Sequence, residues 1–243
     1  MEETNNKVYL VSDVHCRDFY KPVLNVTESP VIFLGDYLDP YYWEGFSFEH
    51  GLDNLKEIIQ FKKDNPERVT LLIGNHDFNS LWQQNWASRF TPSKEAYNLY
   101  KENFNLFNPY KIIDNVFFTH AGISSGWYNV WKIENIEDFI NKDWNDFLLN
   151  PEEENYGAIF DCGRSRGGYA PYGGIFWHDA FESYEFNPID YTQIYGHTQL
   201  EDTGRIAKFS MHGKPMYCID SRAIFEYDLD THELVKSKLN ETN

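Results

Sequence analysis

The chain has 243 residues, of which 42% are hydrophobic and 24% charged, which is the composition of an ordinary globular protein and not of a disordered one. Its formal net charge of −17 argues against the clustered Lys and Arg with which proteins bind duplex nucleic acid or anionic membranes. We therefore expect a single folded domain over residues 1–243, with neither duplex nucleic acid nor a membrane as a partner.

The first seven residues are polar and acidic, so they lack the basic start and the apolar stretch of a signal peptide. No apolar run approaches the length that spans a membrane. Cys16, Cys162 and Cys218 are odd in number and far apart, which predicts neither a disulfide framework nor a cysteine-rich zinc site. These features predict a cytoplasmic protein with reduced thiols.

Short apolar runs that end at polar or glycine residues predict buried strands at 8–11, 31–34, 69–73 and 116–119. Helical patterns lie between and after them, and they predict helices around 52–63 and over 93–107 and 136–149. Because strands and helices alternate, we expect an α/β layered fold.

The last fifty residues read mostly as strand. Apolar segments at 206–211, 216–219 and 223–227, separated by turn residues, predict a β-meander. Before them, residues 156–184 form a long segment rich in glycine and aromatic residues. Loops of that length are uncommon inside a compact domain and often contact ligands, so we expect substrate contacts there.

Potential metal ligands follow five apolar segments of the chain. They are Asp13 and His15, Asp36 and Asp39, Asn75 and His76, His120, and His197. One such tripeptide at a strand end is usually a turn, but five in this arrangement are not easily explained by turns. Ligands lie at the carboxyl ends of strands in α/β sheets, and mixed carboxylate, amide and imidazole groups suit Mn, Fe or Zn better than Ca or Mg.

These motifs resemble, in order, the signature of the calcineurin-like metallophosphoesterase superfamily. They read Asp13-Val-His15, Gly35-Asp36-Tyr-Leu-Asp39, Gly74-Asn-His-Asp77, His120-Ala-Gly122 and Gly196-His197. The resemblance spans most of the chain and implies a four-layer α/β/β/α sandwich of two mixed sheets that meet at a metal site. It also implies a metal-dependent phosphoric ester hydrolase.

The resemblance further assigns roles to the residues, with two divalent cations, Mn first and Fe or Zn as alternatives. One cation would be held by Asp13, His15 and Asp36, and the other by Asp36, Asn75, His120 and His197, so that Asp36 bridges. His76 would protonate the leaving oxygen while Asp39 orients its imidazole. Metal-bound hydroxide would attack phosphorus directly, without a phosphoenzyme.

The chain departs from the superfamily signature at two positions, and these indicate which branch of the superfamily it resembles. Gln199 stands where many members have a second histidine, which resembles the phosphoprotein phosphatases and symmetrical diadenosine tetraphosphate hydrolases. That branch, however, has an arginine that grips phosphate after the second aspartate, where this chain has Pro40. Arg164 and Arg166 are the candidates to replace it, because a guanidinium matches phosphate oxygens bidentately; the alternative is a solvated surface arginine.

The function predicted first is hydrolysis of phosphate monoesters, with a serine/threonine protein phosphatase as one form of it. The alternative is a nucleotide-polyphosphate hydrolase, acting on substrates like diadenosine tetraphosphate, or a phosphodiester hydrolase. The substrate would accordingly be a phosphoprotein, a nucleotide or a small phosphate ester. A third reading, a noncatalytic scaffold, conflicts with the intact ligand set. His178 is expected to be a surface or core histidine and not a ligand. The aromatic run Trp127–Trp131 is expected to pack in the core or contact a protein, with stacking on a base or an aromatic substrate as the alternative.

Overall fold

The computed structural model of the protein describes residues 6–83, 88–91, 93–151, 157–182, 186–209 and 212–241. The strands in this part of the chain are β1 Lys7–Val11, β2 Val31–Phe33, β3 Val69–Leu72, β4 Phe107–Asn108, β5 Tyr110–Ile113, β6 Val116–Thr119, β7 Thr192–Tyr195, β8 Ala207–Lys208, β9 Met216–Cys218, β10 Ile224–Asp228 and β11 Glu233–Lys236. The α-helices are α1 Phe48–Asp64, α2 Asn75–Trp82, α3 Lys94–Asn103, α4 Ser125–Val130 and α5 Ile136–Leu149.

The strands form two mixed sheets. The first has the order β11-β10-β1-β2-β3-β4. In it β1 to β4 are parallel to one another, β10 is antiparallel to β1, and β11 is antiparallel to β10. The second has the order β5-β6-β7-β9-β8, in which β6, β7 and β9 are parallel and the two edge strands antiparallel. Parallel neighbours need a crossover, and α1 supplies the one between β2 and β3.

Alternation along the strands divides the core into layers. Val8 and Leu10 of β1 pack with Phe118 and Ile194 of the second sheet, which forms the core between the sheets. Val11 belongs to the other large cluster, with the apolar face of α1. Each fully buried aliphatic side chain contributes about 1.5–3 kcal/mol. This arrangement confirms the predicted sandwich of two mixed sheets with helices outside.

Helix α1 forms where its periodicity predicts it. The Ser47 side chain caps it by accepting a hydrogen bond from the backbone N–H of His50, at 3.1 Å. Lys62 and Lys63 lie in its last turn, where they complement the helix dipole. Its buried face includes all four apolar residues of the pattern: Leu52, Leu55, Ile58 and Ile59.

The predicted β-meander is wrong. β8 and β9 pair antiparallel in the second sheet, but β10 pairs with β1 and β11 in the first. The chain changes sheets at Asp220–Arg222, where Arg222 has a φ of +57°. Alternating apolar residues predict strands but not their partners, so the pattern could not distinguish the two sheets. Of the predicted segment 206–211, residues 210 and 211 lie outside the described residues.

The helix predicted over 93–107 is shorter in the structure. α3 ends at Asn103, a 3-10 turn follows at Phe104–Leu106, and Phe107 begins β4 beside Leu71. Pairing in the sheet overrides the local helical pattern here. Helix α5 matches its prediction at Ile136–Leu149. Within the described residues, no helix is both long enough and apolar enough to cross a membrane.

Candidate metal centre

The predicted ligands lie at the carboxyl ends of five strands, three in the first sheet and two in the second. β1, β2 and β3 are parallel neighbours, as are β6 and β7, so these ends face the same edge of the packed sheets. All six side chains there are buried: Asp13, His15, Asp36, Asn75, His120 and His197. Burying so many acidic and imidazole groups together is costly unless something of positive charge offsets it.

Asp36 lies between two candidate metal groups. One consists of His15, Asp36 and His76, and the other of Asp36, His120 and His197. The Oδ2 atom of Asp36 lies 3.6 Å from Nε2 of His15 and 3.5 Å from Nε2 of His120. A single carboxylate oxygen thus faces both groups, as the predicted bridging role requires.

The ring orientations of His15 and His120 favour a cation beside each of them. Nδ1 of His15 lies 2.9 Å from the carbonyl oxygen of Leu38, and Nδ1 of His120 lies 2.8 Å from that of Leu34. A carbonyl only accepts, so each Nδ1 carries the proton and each Nε2 directs a lone pair into the site. Burial lowers the pKa of both imidazoles and keeps them neutral.

The second group is completed by Asn75 and His197. Nε2 of His120 lies 2.9 Å from Oδ1 of Asn75 and 3.2 Å from Nδ1 of His197. Two atoms of this pair, Asn75 Nδ2 and His197 Nε2, are buried without a hydrogen-bond partner in the described part of the chain. Burial, followed by the charge of Arg166, lowers the pKa of His197. Neutral nitrogen and amide oxygen atoms that converge on one point fit a divalent transition metal.

Asp13 lies at the same edge but is placed differently from the other ligands. Both of its carboxylate oxygens accept a hydrogen bond from the backbone N–H of His197, at 3.2 and 3.0 Å, and one also accepts from the Ser12 hydroxyl. By distance, His76 and not Asp13 falls in the group with His15. Asp13 therefore joins the end of β1 to the end of β7 through these hydrogen bonds.

The structure brings together His76 and Asp39, which the family resemblance assigns as a pair. Nδ1 of His76 lies 2.7 Å from Oδ2 of Asp39, and Nε2 of His76 faces the metal groups, 4.0 Å from Oδ2 of Asp36. The His76 side chain is 15% exposed, so it is the member of the site that a substrate can reach. This geometry allows His76 to exchange a proton at Nε2 while Asp39 fixes the ring.

Asp39 is held by a segment that sequence reasoning missed. Its Oδ1 accepts hydrogen bonds from the Ser88 hydroxyl at 3.1 Å and from the backbone N–H groups of Arg89 and Phe90 at 2.8 and 3.1 Å. Burial alone raises the pKa of Asp39, but the hydrogen bonds and charges of His76 and Arg89 outweigh it and lower the pKa. Asp39 is therefore ionised beside His76.

Arg89 also brings a guanidinium next to Asp39, the residue that precedes Pro40. Its Nη1 donates to Oδ2 of Asp39 at 2.8 Å and to the Asp39 carbonyl at 3.2 Å, and its Cζ lies 3.6 Å from the centre of the Tyr41 ring. No spacing signal identifies this residue, because fifty positions separate it from Asp39 and only the fold joins them.

The backbone at the strand ends is strained. Five predicted site residues have a positive φ, between +44° and +69°: Asp13, His15, Asp36, Asp39 and His197. Such conformations are uncommon outside glycine and persist where the surroundings enforce them, as they often do at functional sites. Here the backbone N–H of His15 donates to the Asp36 carbonyl at 2.9 Å, which joins two of the loops.

Asp77, the last residue of the third motif, forms hydrogen bonds with the backbone of the Asp36 loop and of Gly74. Its Oδ2 accepts from the backbone N–H groups of Asp36 and Gly74, both at 2.8 Å. Its Oδ1 accepts from the backbone N–H of Tyr37 at 3.0 Å and from the Tyr100 hydroxyl at 2.5 Å. The Asp36 loop and the start of α2 are thereby fixed to one buried side chain.

Two glycines of the motifs are required by close approach. A Cβ at Gly74 would collide with Oδ1 of Asp36, and one at Gly196 would collide with Ser12 and Asp13. The loops can therefore converge only because these positions have no side chain.

The structure separates the two arginines predicted to bind phosphate. Arg166 reaches the site: its Nη2 donates to the hydroxyl of Thr198, next to His197, at 2.7 Å, and its Nε lies 2.9 Å from Oδ2 of Asp179. Arg164 is exposed on the same 3-10 turn, Arg164–Arg166, and its guanidinium makes no hydrogen bond or ion pair within the described residues.

The remaining sequence features fall outside the ligand set. Gln199 is exposed and Pro40 is buried. His178 is buried, with Nδ1 2.7 Å from the Ala121 carbonyl. Trp127 is buried on α4, as expected, whereas Trp131 is 45% exposed. In the segment 156–184, for which substrate contacts are predicted, residues 156, 183 and 184 lie outside the described residues. Ile159, Ile175 and Phe176 of this segment are fully buried, so part of it belongs to the hydrophobic core.

Comparisons with known proteins show the family of the chain. A family model described as calcineurin-like phosphoesterase matches residues 6–232. A catalytic chain of protein phosphatase 2A from Dictyostelium discoideum is 24% identical over 149 residues, which is 57% of this chain and 46% of that protein. The chain thus matches less than half the length of this relative.

Two solved structures share the fold. The cold-active protein-tyrosine phosphatase of a psychrophilic Shewanella species has a TM-score of 0.62 and 18% identity, covering 93% of this chain and 76% of that one. A protein serine/threonine phosphatase from Saccharomyces cerevisiae, with similarity to human phosphatase PP5, has a TM-score of 0.56 and 17% identity, covering 97% of this chain and 82% of that one. With the match over residues 6–232, the chain belongs to the calcineurin-like phosphoesterase family of phosphoric ester hydrolases.

Proposed function

We propose that this protein hydrolyses phosphate monoesters with two divalent cations, Mn first, at the centre shared by Asp36. His15 and Asp13 would hold one ion with Asp36, and Asn75, His120 and His197 the other. When bound, the cations supply activation of water and stabilisation of charge on phosphoryl oxygens. Support comes from the Oδ2 atom of Asp36, which faces both groups, 3.6 Å from His15 and 3.5 Å from His120.

We also propose a cytoplasmic location, for which the three unpaired cysteines are the support.

The observation that carries the monoesterase assignment is the His76–Asp39 pair, joined at 2.7 Å beside the metal groups. Asp39 accepts the Nδ1 proton of His76, so a His76 protonated on both ring nitrogens would give its Nε2 proton to the leaving oxygen and keep the one on Nδ1. A positioned acid of this kind accelerates a reaction about 10²–10⁴-fold. The help matters for esters whose leaving oxyanion is a strong base, as in seryl and tyrosyl phosphate monoesters, and matters least for p-nitrophenyl phosphate.

A substrate panel tests this proposal. The protein is stripped with a chelator, reloaded with Mn and assayed on p-nitrophenyl phosphate, a phosphoserine peptide, bis-p-nitrophenyl phosphate and diadenosine tetraphosphate. We expect faster hydrolysis of the monoesters, and for His76→Asn a loss of about 10²–10⁴-fold on the phosphopeptide, with a smaller loss on p-nitrophenyl phosphate, whose leaving group needs no acid. Hydrolysis of the diester or polyphosphate alone would overturn the proposal in favour of the alternative.

Arg166 is the proposed phosphate ligand, because it is fixed beside His197 and its side chain is still 25% exposed. Charge-assisted hydrogen bonds to phosphate contribute about 1.5–3 kcal/mol. We therefore expect Arg166→Met to raise KM for the phosphopeptide by about 10- to 100-fold. Arg164→Met, two positions away and exposed, is the matched control and should change KM less than twofold. Equal effects of the two substitutions would contradict this role.

A further inference from the structure

Three consecutive aromatic residues follow Asp39 and Pro40 directly. Tyr42 is 76% exposed and Trp43 is 65% exposed, while Tyr41 is half-buried beneath them. Their rings contact one another, with centroids 4.9 Å apart for Tyr41 and Trp43 and 5.3 Å apart for Tyr42 and Trp43. We refer to Tyr41, Tyr42 and Trp43 as the aromatic cluster. Adjacent large aromatic side chains exposed beside a site of chemistry often mark a binding surface.

The aromatic cluster is attached to the metal centre through Tyr41. The Tyr41 ring lies edge-to-face against the ring of His15, with centroids 5.3 Å apart. His15 is a predicted ligand whose Nε2 faces Asp36 at 3.6 Å. Trp43 is therefore only one ring removed from a ligand of the centre.

The base of the cluster is held in place. The guanidinium of Arg89 lies 3.6 Å from the centre of the Tyr41 ring, and that of Arg17 lies 5.1 Å from it. Glu44 fixes Arg17 in turn, with contacts of 2.6 and 3.1 Å. Cation–π contacts on Tyr41 make a preorganised support, so a flat group bound on Trp43 would meet a surface that is already ordered.

The cluster also adjoins the proposed proton donor through a shared neighbour. His76, the proposed proton donor to the leaving oxygen, has its ring centroid 5.1 Å from that of His15. Tyr41 contacts the same His15 ring at 5.3 Å. The cluster therefore lies near His76, whereas Arg166 lies beside His197 in the other metal group.

We propose that the aromatic cluster binds the leaving group of an aryl phosphate monoester, of which a tyrosyl phosphate is the form that occurs in proteins. This inference rests on the proposed monoesterase function and specifies its substrate class. An aryl ring one bond from the leaving oxygen can stack on the cluster next to the metal centre. The base of a nucleotide is separated from its phosphate by a ribose, and a seryl phosphate has no ring to stack.

The test compares two peptides of identical sequence, one with phosphotyrosine and one with phosphoserine, in the Mn-loaded protein. Aromatic stacking of this kind predicts that Trp43→Ala lowers kcat/KM on the phosphotyrosine peptide about 3- to 10-fold and leaves the phosphoserine peptide within twofold. Trp43→Phe, which keeps a ring, should restore most of the loss. Trp131→Ala is the matched control, because it removes another half-exposed tryptophan, one that contacts Phe139 and Asp161.

A binding measurement accompanies the kinetics. Phenylphosphonate should inhibit the wild-type protein more strongly than methylphosphonate, and Trp43→Ala should remove at least half of that preference. An unchanged phosphotyrosine rate in Trp43→Ala, or equal losses on both peptides, overturns the inference while monoesterase activity persists. A larger loss on adenosine monophosphate than on phosphotyrosine overturns it in favour of a nucleoside. Absence of Mn-dependent hydrolysis of every monoester contradicts the proposed function itself.

Discussion

At the scale of single residues, the buried carboxylate of Asp77 fixes the loop that carries Asp36. Asp77 accepts hydrogen bonds from the backbone of Asp36, Tyr37 and Gly74 and from the Tyr100 hydroxyl. It thereby holds the loop of Asp36, the proposed bridging residue, in a left-handed conformation, with a φ of +58° at Asp36. The third motif predicts the presence of Asp77 but not this role, since its hydrogen-bond donors come from three separate segments of the chain.

The role of Asp77 is tested by Asp77→Asn. One amide NH2 group would then face backbone N–H donors, so we expect the free energy of unfolding of the metal-free protein to fall by about 2–4 kcal/mol in urea titrations. Mn affinity, measured by calorimetric titration, should fall about 10- to 100-fold because Asp36 loses its support. Asp230→Asn, at an exposed carboxylate, is the control and should change stability by less than about 0.5 kcal/mol. Wild-type Mn affinity in Asp77→Asn would contradict the role.

At the scale of elements, the site is built on strand ends and supported by a segment that lies outside the strands. Residues 175–178 contact the turn after β6: the backbone N–H of Ala121 donates to the Ile175 carbonyl at 2.9 Å, and Nδ1 of His178 donates to the Ala121 carbonyl at 2.7 Å. Burial lowers the pKa of His178 to about 4. A buried neutral histidine thus supports the loop that carries His120.

The titration of His178 gives the folded state a defined dependence on pH. Its pKa in the fold lies below its unfolded value of about 6.5, so its contribution to stability is present above pH 6.5 and is lost as the pH falls towards 4. Between pH 7.5 and 5, the metal-free wild-type protein should lose about 2 kcal/mol more stability than His178→Gln, whose side chain can still donate to Ala121. Parallel pH profiles of the two proteins in urea titrations would contradict this.

At the scale of the whole molecule, the sequence predicted the layers better than the pairing of distant segments. Periodicity identifies β1, α1 and α5, because burial on one face depends on local spacing. The candidate ligands can be picked out in the sequence because each follows an apolar run. The exchange of β10 into the first sheet and the approach of Arg89 to Asp39 depend on contacts between distant segments, which no local pattern records. Arg164 and Arg166 look alike in sequence, and only the fold distinguishes them.

The central claim is that two cations share Asp36, and the stoichiometry of bound Mn tests it most directly. In equilibrium dialysis, we expect two Mn ions per wild-type chain, one in His15→Ala, and neither bound tightly in Asp36→Ala, because both groups lose a ligand at once. Circular dichroism should confirm that the variants are folded. Two tightly bound ions in folded Asp36→Ala would contradict the account.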